Sequence, residues 1–388
     1  MPKLLARNSN WFVVNSTAEF VAALANESVA AGDSIVMRAG TYTGNFVSTV
    51  GGSVGRPVRI MPYNNEAVIL DGTFTFGNSY LEIYDLEFLN SNADRAVGDV
   101  GITMNYEGCR LIGCNIHDLH NDITWMNWGV GGIEECIIKN TGYGASGGYC
   151  IYTHNDGGGQ RDIKRNLFYE PVGVYTLHIY SPSNKGDDYK VEDNIFLWSA
   201  SLGGKYGTNR LTFKNNWVFG DIPGSYVNLL IDWYSEVVCD DVVISGNSYW
   251  TTIFKIKDAF VTNLVEENNK VYIRLYSSLD RDGYTVTTNP ETLVRIIPFT
   301  KSKRWLGSVS IYNRDDADSV DVDFSSLLTG GDYLLRNGHN TAETFEFTYS
   351  GTDVSVPMNT WTAADMVGGR EPVDHFPRYG GFMIERAT

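Results

Sequence analysis

The sequence predicts an all-β solenoid, in which short coils of chain stack along one axis, with an N-terminal capping helix and a small C-terminal β-sandwich-like module. Three observations lead to this prediction. A short apolar motif with an Asn marker recurs along the chain. The chain has 388 residues, too many for one compact core but suitable for a core that grows along an axis. Its 40 glycines and 13% aromatic residues suit many turns between short strands.

The N-terminal element is a predicted capping helix. Ser16 and Glu19 have the spacing of a capping box, in which the two side chains satisfy free backbone amides at the start of a helix. Residues 20–25 then place apolar side chains on one helix face. Such a helix would cover the open apolar end of the first coil, as terminal repeats require.

The repeat itself is an apolar position, two or three further residues, an Asn or a stand-in, and more apolar residues. The markers are Glu87, Asn115, Cys136, Asn166, Asn194, Asn216 and Asn247. Their spacing has a steady lower limit with variable additions, because each coil needs a minimum length to close three short strands and extra residues bulge from one turn. An Asn tolerates left-handed backbone at a corner, and its amide can bond the Asn of the next coil.

The C-terminal part has a different pattern. The Asn marker stops near residue 295, and residues 319–324 alternate with period two, as a half-buried strand does. Further strands are predicted at 333–337 and 344–349. We therefore predict two domains, a solenoid with its cap over 1–295 and a β module over 296–388, the second serving to cap the solenoid or to contact sugar.

These coils resemble a known family. Residues 31–36, 39–42 and 56–60, together with the Asn-marked coils, are similar to right-handed parallel β-helix proteins of the pectate-lyase type, over roughly residues 10–290. The resemblance implies a carbohydrate-active protein, because this fold hosts polysaccharide lyases, glycoside hydrolases, sugar epimerases, esterases and phage tailspikes. The sequence lacks both the Asp-rich run of the polygalacturonase-like hydrolases and the calcium and arginine motifs of pectate lyases. No catalytic residue is therefore transferred by motif.

Charge and composition narrow the partners. With 46 acidic and 30 basic residues, the net charge of −16 argues against nucleic acid. No apolar run approaches about 20 residues, so no membrane span is predicted. The five cysteines are odd in number and form no CxxC pair, which argues against a disulfide framework and a zinc site. The N-terminus has no apolar signal region, so no secretory signal is predicted. The compartment stays unknown: export after processing and association with a phage particle are both open.

The candidate site is a column of side chains on an outer face of the solenoid. Strand alternation points Ile151, Leu177 and Ile179 inward, whereas His178, Lys205 and Asp232 point outward on three consecutive coils, about 5 Å apart from step to step. The predicted catalytic residues are Lys205, His178, Tyr180 and Asp232. The predicted substrate-binding residues are Tyr152, His154, Tyr206, Tyr234 and Lys257, and no residue is assigned to a metal.

Two reactions suit these residue types. In β-elimination on a uronate, Lys205 would neutralise the carboxylate or, with a lowered pKa, act as the base. His178 or Tyr180 would supply the other proton role. This lyase reaction on an acidic glycan is favoured. A glycoside hydrolase would need two carboxyl groups, such as Asp232 with Asp187 or Asp188. A glycan-binding or tailspike-like structural protein is the third alternative. No cofactor is required, although calcium is left open because it can offset the acidic surface.

Overall fold

A computed structural model gives the fold of the chain. It describes residues 9–92, 101–126, 129–142, 148–155, 157–169, 171, 173, 175–180, 186–197, 200–202, 206–219, 238–250, 261–272, 282–287, 291–362 and 378–387. Almost all regular structure in these residues is β-strand, as the sequence predicts. Among them, no helix has the length and apolarity needed to cross a membrane.

The solenoid part of the chain consists of short strands, one α-helix and one short 3-10 helix. The elements are β1 (Trp11–Val14), α1 (Thr17–Leu24), β2 (Ser34–Met37), β3 (Gly40–Ser48), β4 (Val58–Pro62), the 3-10 helix (Tyr63–Asn65), β5 (Val68–Phe76), β6 (Leu81–Tyr84), β7 (Glu87–Leu89), β8 (Ile102–Thr103), β9 (Cys109–Ile112), β10 (Asn115–His117), β11 (Ile123–Trp125), β12 (Gly131–Glu134), β13 (Ile137–Lys139), β14 (Tyr149–Thr153), β15 (Arg161–Lys164), β16 (Leu167–Phe168), β17 (Tyr175–Ile179), β18 (Tyr189–Glu192), β19 (Ile195–Phe196), β20 (Ala200–Ser201), β21 (Thr212–Lys214), β22 (Trp217–Phe219), β23 (Cys239–Ser245), β24 (Ser248–Trp250), β25 (Val261–Glu267), β26 (Asn269–Tyr272) and β27 (Tyr284–Thr287).

Two parallel sheets form the solenoid wall. The first sheet has 11 strands in the order β1-β2-β4-β6-β9-β12-β15-β18-β21-β23-β25. The second has 16 strands and divides at β5 into two arms. We call β8, β11, β14, β17 and β20 the short arm, and β7, β10, β13, β16, β19, β22, β24, β26 and β27 the long arm. Neighbouring strands in both arms pair in parallel between successive coils, which confirms the predicted parallel β-helix.

A ladder of asparagines confirms the repeat. Asn166, Asn194, Asn216, Asn247 and Asn269 are buried in consecutive coils. The Nδ2 of each Asn donates to the Oδ1 of the next at 3.0 or 3.1 Å, and the same Oδ1 accepts the backbone amide of the preceding Asn. Such buried amides are costly unless paired, so the ladder fixes the corner of every coil it crosses.

The backbone at this corner differs from our expectation in one respect. The left-handed residue is the one that precedes each Asn, with φ of 57° at Arg165, 58° at Asp193, 53° at Asn215 and 55° at Asn268. The Asn itself is therefore selected for its side-chain amide and not for its tolerance of left-handed backbone. The residue before each Asn adopts the left-handed conformation because it occupies the turn position.

The N-terminal cap is confirmed. Ser16 is the N-cap of α1, and its Oγ accepts the backbone amide of Glu19 at 3.3 Å. The Glu19 carboxylate reaches back to the amide of Asn15 at 2.7 Å, one residue before the position a standard capping box would use. Phe20 and Leu24 are buried against the first coil. The helix therefore closes the apolar end of the core.

The C-terminal module consists of antiparallel strands. They are β28 (Leu293–Pro298), β29 (Gly307–Tyr312), β30 (Ser319–Val322), β31 (Gly331–Asn337), β32 (Thr344–Tyr349), β33 (Val354–Pro357) and β34 (Tyr379–Arg386). Five of them form one sheet and two form another, with a separate apolar core, as a sandwich-like module requires. The change from parallel to antiparallel pairing lies between β27 and β28, so the predicted boundary at 295/296 falls inside β28 and stays a prediction.

The module packs on the outer face of the long arm. Apolar residues of both parts form one buried cluster there. Trp305 is 1% exposed, and its Nε1 donates to the Gly113 carbonyl at 2.9 Å. The buried Glu135 carboxylate accepts the backbone amides of residues 300, 301 and 302. The long arm is covered in this way.

Candidate functional site

A column of side chains runs along the outer face of the short arm. The strand registers place Thr75, Thr103, Thr124, Tyr152 and His178 opposite one another on successive coils. The residues that alternate with them are buried in the core, because successive side chains in a strand point to opposite faces. Ile151, Leu177 and Ile179 are among these buried residues, as predicted. The first four members of the column are partly exposed, so this face can contact a ligand.

His178 stands at the centre of an aromatic cluster. Its ring centroid lies 4.6 Å from that of Tyr149, 5.0 Å from Tyr180, 5.1 Å from Tyr175 and 5.5 Å from Tyr152. The Tyr180 ring is stacked on the imidazole with an interplanar angle of 11°. Parallel pairing of β14 with β17 creates the cluster, because Tyr149 lies opposite Tyr175 and Tyr152 lies opposite His178. The structure therefore brings together three predicted site residues, Tyr152, His178 and Tyr180.

Burial keeps the His178 imidazole neutral. His178 is 9% exposed, and loss of hydration lowers its pKa from 6.5 to about 3. Its Nδ1 has no hydrogen-bond partner among the described residues, and no described carboxylate forms an ion pair with the ring. Burial also raises the pKa of Tyr152 to about 12, with smaller contributions from Tyr149, Tyr180 and Asp122. At neutral pH, the cluster thus combines an imidazole able to accept a proton with a protonated phenol.

Asp122 is a candidate site residue that the sequence analysis missed. It is 4% exposed, and burial raises its pKa to about 6. Its Oδ1 accepts the Thr124 hydroxyl at 2.7 Å, on the face that carries Tyr152. Its negative charge contributes to the raised pKa of Tyr152. The signal was present in the sequence, since Asp122 and Thr124 have the strand alternation of Tyr152, but only the fold reveals the burial.

Arg161 supports the site from inside the solenoid. Its side chain is fully buried, and its Nη1 donates to the carbonyls of Trp125 and His154 at 2.6 and 2.7 Å and to the Thr153 hydroxyl at 2.8 Å. The guanidinium also lies over the Trp125 ring at 4.2 Å. These bonds hold the ends of β11 and β14, the two strands that carry Thr124 and Tyr152. The predicted binding residue His154 is 6% exposed at that corner, and its role stays a prediction.

The alignment of the predicted catalytic column requires a correction. His178 pairs with Ser201 in β20, and not with Lys205 as we expected from the sequence. The coil between these strands is shorter than the expected spacing, so the chain returns to the short arm before Lys205. Lys205, Asp232, Tyr234 and Lys257 lie outside the described residues. Tyr206 is 38% exposed in a turn beyond β20, and its binding role stays a prediction.

Two other acidic residues considered for hydrolysis are engaged elsewhere. The Asp187 carboxylate accepts the Asn209 backbone amide at 2.9 Å and the Arg210 Nη2 at 3.3 Å. Asp188 accepts the Arg210 Nε at 2.5 Å and Nη2 at 2.9 Å. These bonds tie the two carboxylates to a corner of the neighbouring coil. They stabilise the turn there, so neither group is positioned as a free acid beside His178.

The described residues contain no group of three or more His, Cys, Asp or Glu side chains that could hold a metal ion. Calcium prefers six to eight oxygen ligands, including several carboxylates. Near His178, the Asp122 carboxylate already accepts the Thr124 hydroxyl. Calcium use stays a prediction.

The chain was compared with protein-family models, curated proteins and solved structures. No protein-family model matches the sequence. No curated protein matches it either. Among solved structures, an alginate lyase from Paenibacillus sp. str. FPU-7 is 15% identical with a TM-score of 0.46. The match covers 71% of this chain and 95% of the lyase chain. A mannuronic acid specific polysaccharide family 6 lyase from human gut microbiota is 13% identical with a TM-score of 0.31, covering 73% and 92%. The pectate lyase Pel9A is 12% identical with a TM-score of 0.37, covering 72% and 74%.

Proposed function

We propose that this chain is a polysaccharide lyase that cleaves an acidic glycan by β-elimination on the outer face of the short arm. The observation that carries the proposal is the neutral imidazole of His178 within a cluster of four tyrosines. This cluster offers a proton acceptor, hydroxyl donors and aromatic rings on one face. Tyrosine rings present an apolar body and a polar tip, which suits the two kinds of surface on a sugar.

The reaction removes a proton from C5 and delivers a proton to the glycosidic oxygen that leaves C4. His178 accepts the proton from C5 of the uronate, and the C5–H electrons form a C4–C5 double bond as the glycosidic C4–O bond breaks. Tyr180, stacked on the imidazole, donates a proton to the departing oxygen. Atoms and charge balance, and the product carries an unsaturated sugar at its new non-reducing end.

An acidic substrate suits this imidazole. A pKa of about 3 makes His178 a weak base in the free protein. A uronate carboxylate bound beside the ring favours the charged imidazolium and raises its pKa, so the substrate itself strengthens the base. The carboxylate also needs a cationic partner, and Lys205 remains the predicted one. Asp232 stays a predicted member of the site.

Product analysis tests the proposal. The chain would be incubated with alginate, polygalacturonate and a neutral glucan, and the ultraviolet absorbance of unsaturated sugars and the number of new reducing ends would be measured. We expect both signals to rise together with an acidic polymer. His178→Gln and Tyr180→Phe should each lower the rate by about 100-fold or more. Tyr63→Phe, on the opposite side of the solenoid, should match the wild type. A substrate cleaved equally fast by all variants would refute the assignment.

A glycoside hydrolase is the second candidate, and Asp122 favours it. A carboxyl group with a pKa raised to about 6 has the property of a general acid. The second carboxylate would be Asp232. New reducing ends without ultraviolet absorbance, abolished by Asp122→Asn, would identify this reaction. If neither signal appears with any polymer that binds, the chain is a glycan-binding or structural protein.

A further inference from the structure

A pocket of about 550 Å³ lies over β3 and β5, at the N-terminal end of the face that carries His178. Hydroxyl groups of Thr and Ser, amide groups of Asn and one carboxylate, that of Asp71, make up its side-chain lining. The described lining contains neither a basic nor an aromatic residue. The reaction proposed above does not use this pocket.

Two glycines create the concave shape. Gly44 in β3 and Gly72 in β5 lie opposite each other, with φ of 153° and 145°. A Cβ added to Gly72 would lie 1.9 Å from the Gly44 carbonyl oxygen, so no side chain can occupy this corner. The pairing of β5 also changes here, from β7 before Gly72 to β8 after it. The pocket is therefore a fixed feature of the bend where the two arms separate.

The polar groups of the pocket suit sugar hydroxyls. Thr73 donates its hydroxyl to the Asn45 Oδ1 at 3.0 Å, which fixes the amide orientation. The Asn45 side chain is exposed, and its Nδ2 donates to none of the described residues. Asp71 is held by the backbone amide and hydroxyl of Ser91 at 2.7 and 2.6 Å. Fixed amides, hydroxyls and a carboxylate recognise neutral hydroxyl groups, whereas the Asp71 charge repels a second carboxylate.

The pocket is continuous with the candidate active site. Thr75 lines the pocket and is also the first member of the column that reaches His178 through Thr103, Thr124 and Tyr152. Four strand spacings separate Thr75 from His178, which is about 19 Å. A glycan lying along the solenoid axis would contact both places.

We propose that this pocket binds a neutral sugar unit of the same polysaccharide that reacts at His178. The inference rests on the proposed function for the identity of the polymer, and it adds that the polymer contains neutral as well as acidic sugars. The pocket and the cluster then divide recognition between them. The pocket selects a neutral unit through its hydroxyls, and the cluster acts on an acidic unit several sugars away.

Direct binding tests the inference without any need for turnover. The full chain would be titrated by calorimetry with the neutral pentasaccharides of glucose, xylose, mannose and galactose. We expect at least one to bind in the millimolar range or tighter, and the double variant Asn45→Ala/Thr73→Val to bind it at least fivefold more weakly, because two hydrogen-bonding groups are lost. Binding of none of the four, or equal binding by the double variant, would overturn the proposal.

A second variant guards against misfolding. Asn92 is exposed at the pocket rim, so Asn92→Phe places a large ring at the opening. It should weaken the same pentasaccharide at least fivefold at an unchanged thermal midpoint, and undiminished binding would contradict the pocket assignment. Trp11→Ala, at a residue 58% exposed on the first sheet, should bind the neutral pentasaccharide like the wild type. Because the lyase assay is separate, a failed reaction with intact pocket binding would refute only the proposed function.

Discussion

The neutral state of His178 has a consequence for stability that can be measured without a substrate. Above pH 6.5 the imidazole is uncharged in both the folded and the unfolded protein. Below that pH, the unfolded chain takes up a proton, whereas the folded protein resists it until the pH approaches about 3. The unfolded state then binds more protons, so the free energy of unfolding falls with the pH. His178→Phe removes the titrating group while it keeps a ring beside the tyrosines.

The size of the effect follows from the two pKa values. One pKa unit corresponds to about 1.4 kcal/mol. Between pH 7 and pH 4, the shift from 6.5 to about 3 makes His178 destabilise the folded protein by about 3 kcal/mol. The side chain is 9% exposed, so solvent screening reduces this figure little. His178→Phe should therefore lose about 3 kcal/mol less stability over this range than the wild type.

Urea unfolding at pH 7, 5.5 and 4 provides the measurement. The difference between the wild type and His178→Phe cancels the contributions of all other titrating groups, including His117, whose pKa is raised by its contacts with two carboxylates despite burial. Unfolding followed by both fluorescence and circular dichroism would establish a single transition. If the two proteins lose stability in parallel as the pH falls, His178 is not a buried neutral imidazole, and its role as the base in the proposed reaction fails with it.

Three further predictions concern the reaction, the ladder and the module. If the chain is a lyase, kcat/KM plotted against pH should decline on the acid side only below pH 5, since free His178 is unprotonated above about pH 3. A decline centred near pH 6.5 would contradict this. Asn194→Ala leaves the buried Asn166 amide and the Ile163 carbonyl without these partners. It should lower the free energy of unfolding by about 2–6 kcal/mol in urea titrations. The exposed control Asn10→Ala should change it by less than about 0.5 kcal/mol. Trp305→Ala should cost about 3–5 kcal/mol and expose the segment between β28 and β29 to limited proteolysis, whereas Trp11→Ala, at a residue 58% exposed, should do neither.

Much of the architecture was predictable because each coil repeats the same local chemistry. The markers at Asn166, Asn194, Asn216 and Asn247 predicted the ladder, since an amide that pairs with its own copy must recur in every coil. Asn269 continues the ladder beyond the predicted markers. The capping helix was predictable for a similar reason, because Ser16 and Glu19 act within a single turn.

The site was predictable only in part. Strand alternation identified Tyr152, His178 and Tyr180 as outward residues, and the rings do meet. The expected partner of His178 on the next coil was wrong, because Ser201 stands opposite it. Register between distant strands depends on how many residues each turn holds, and the sequence does not state where a turn ends.

By itself, the sequence determined the kind of fold, since period-two alternation and self-pairing asparagines act within a strand or between identical neighbours. Tertiary structure decided which side chains share a place and how much water they lose. The neutral imidazole of His178, the raised pKa of Asp122 and the support of Arg161 all depend on burial. Burial is created by coils and turns far apart in the chain, so no local pattern encodes it.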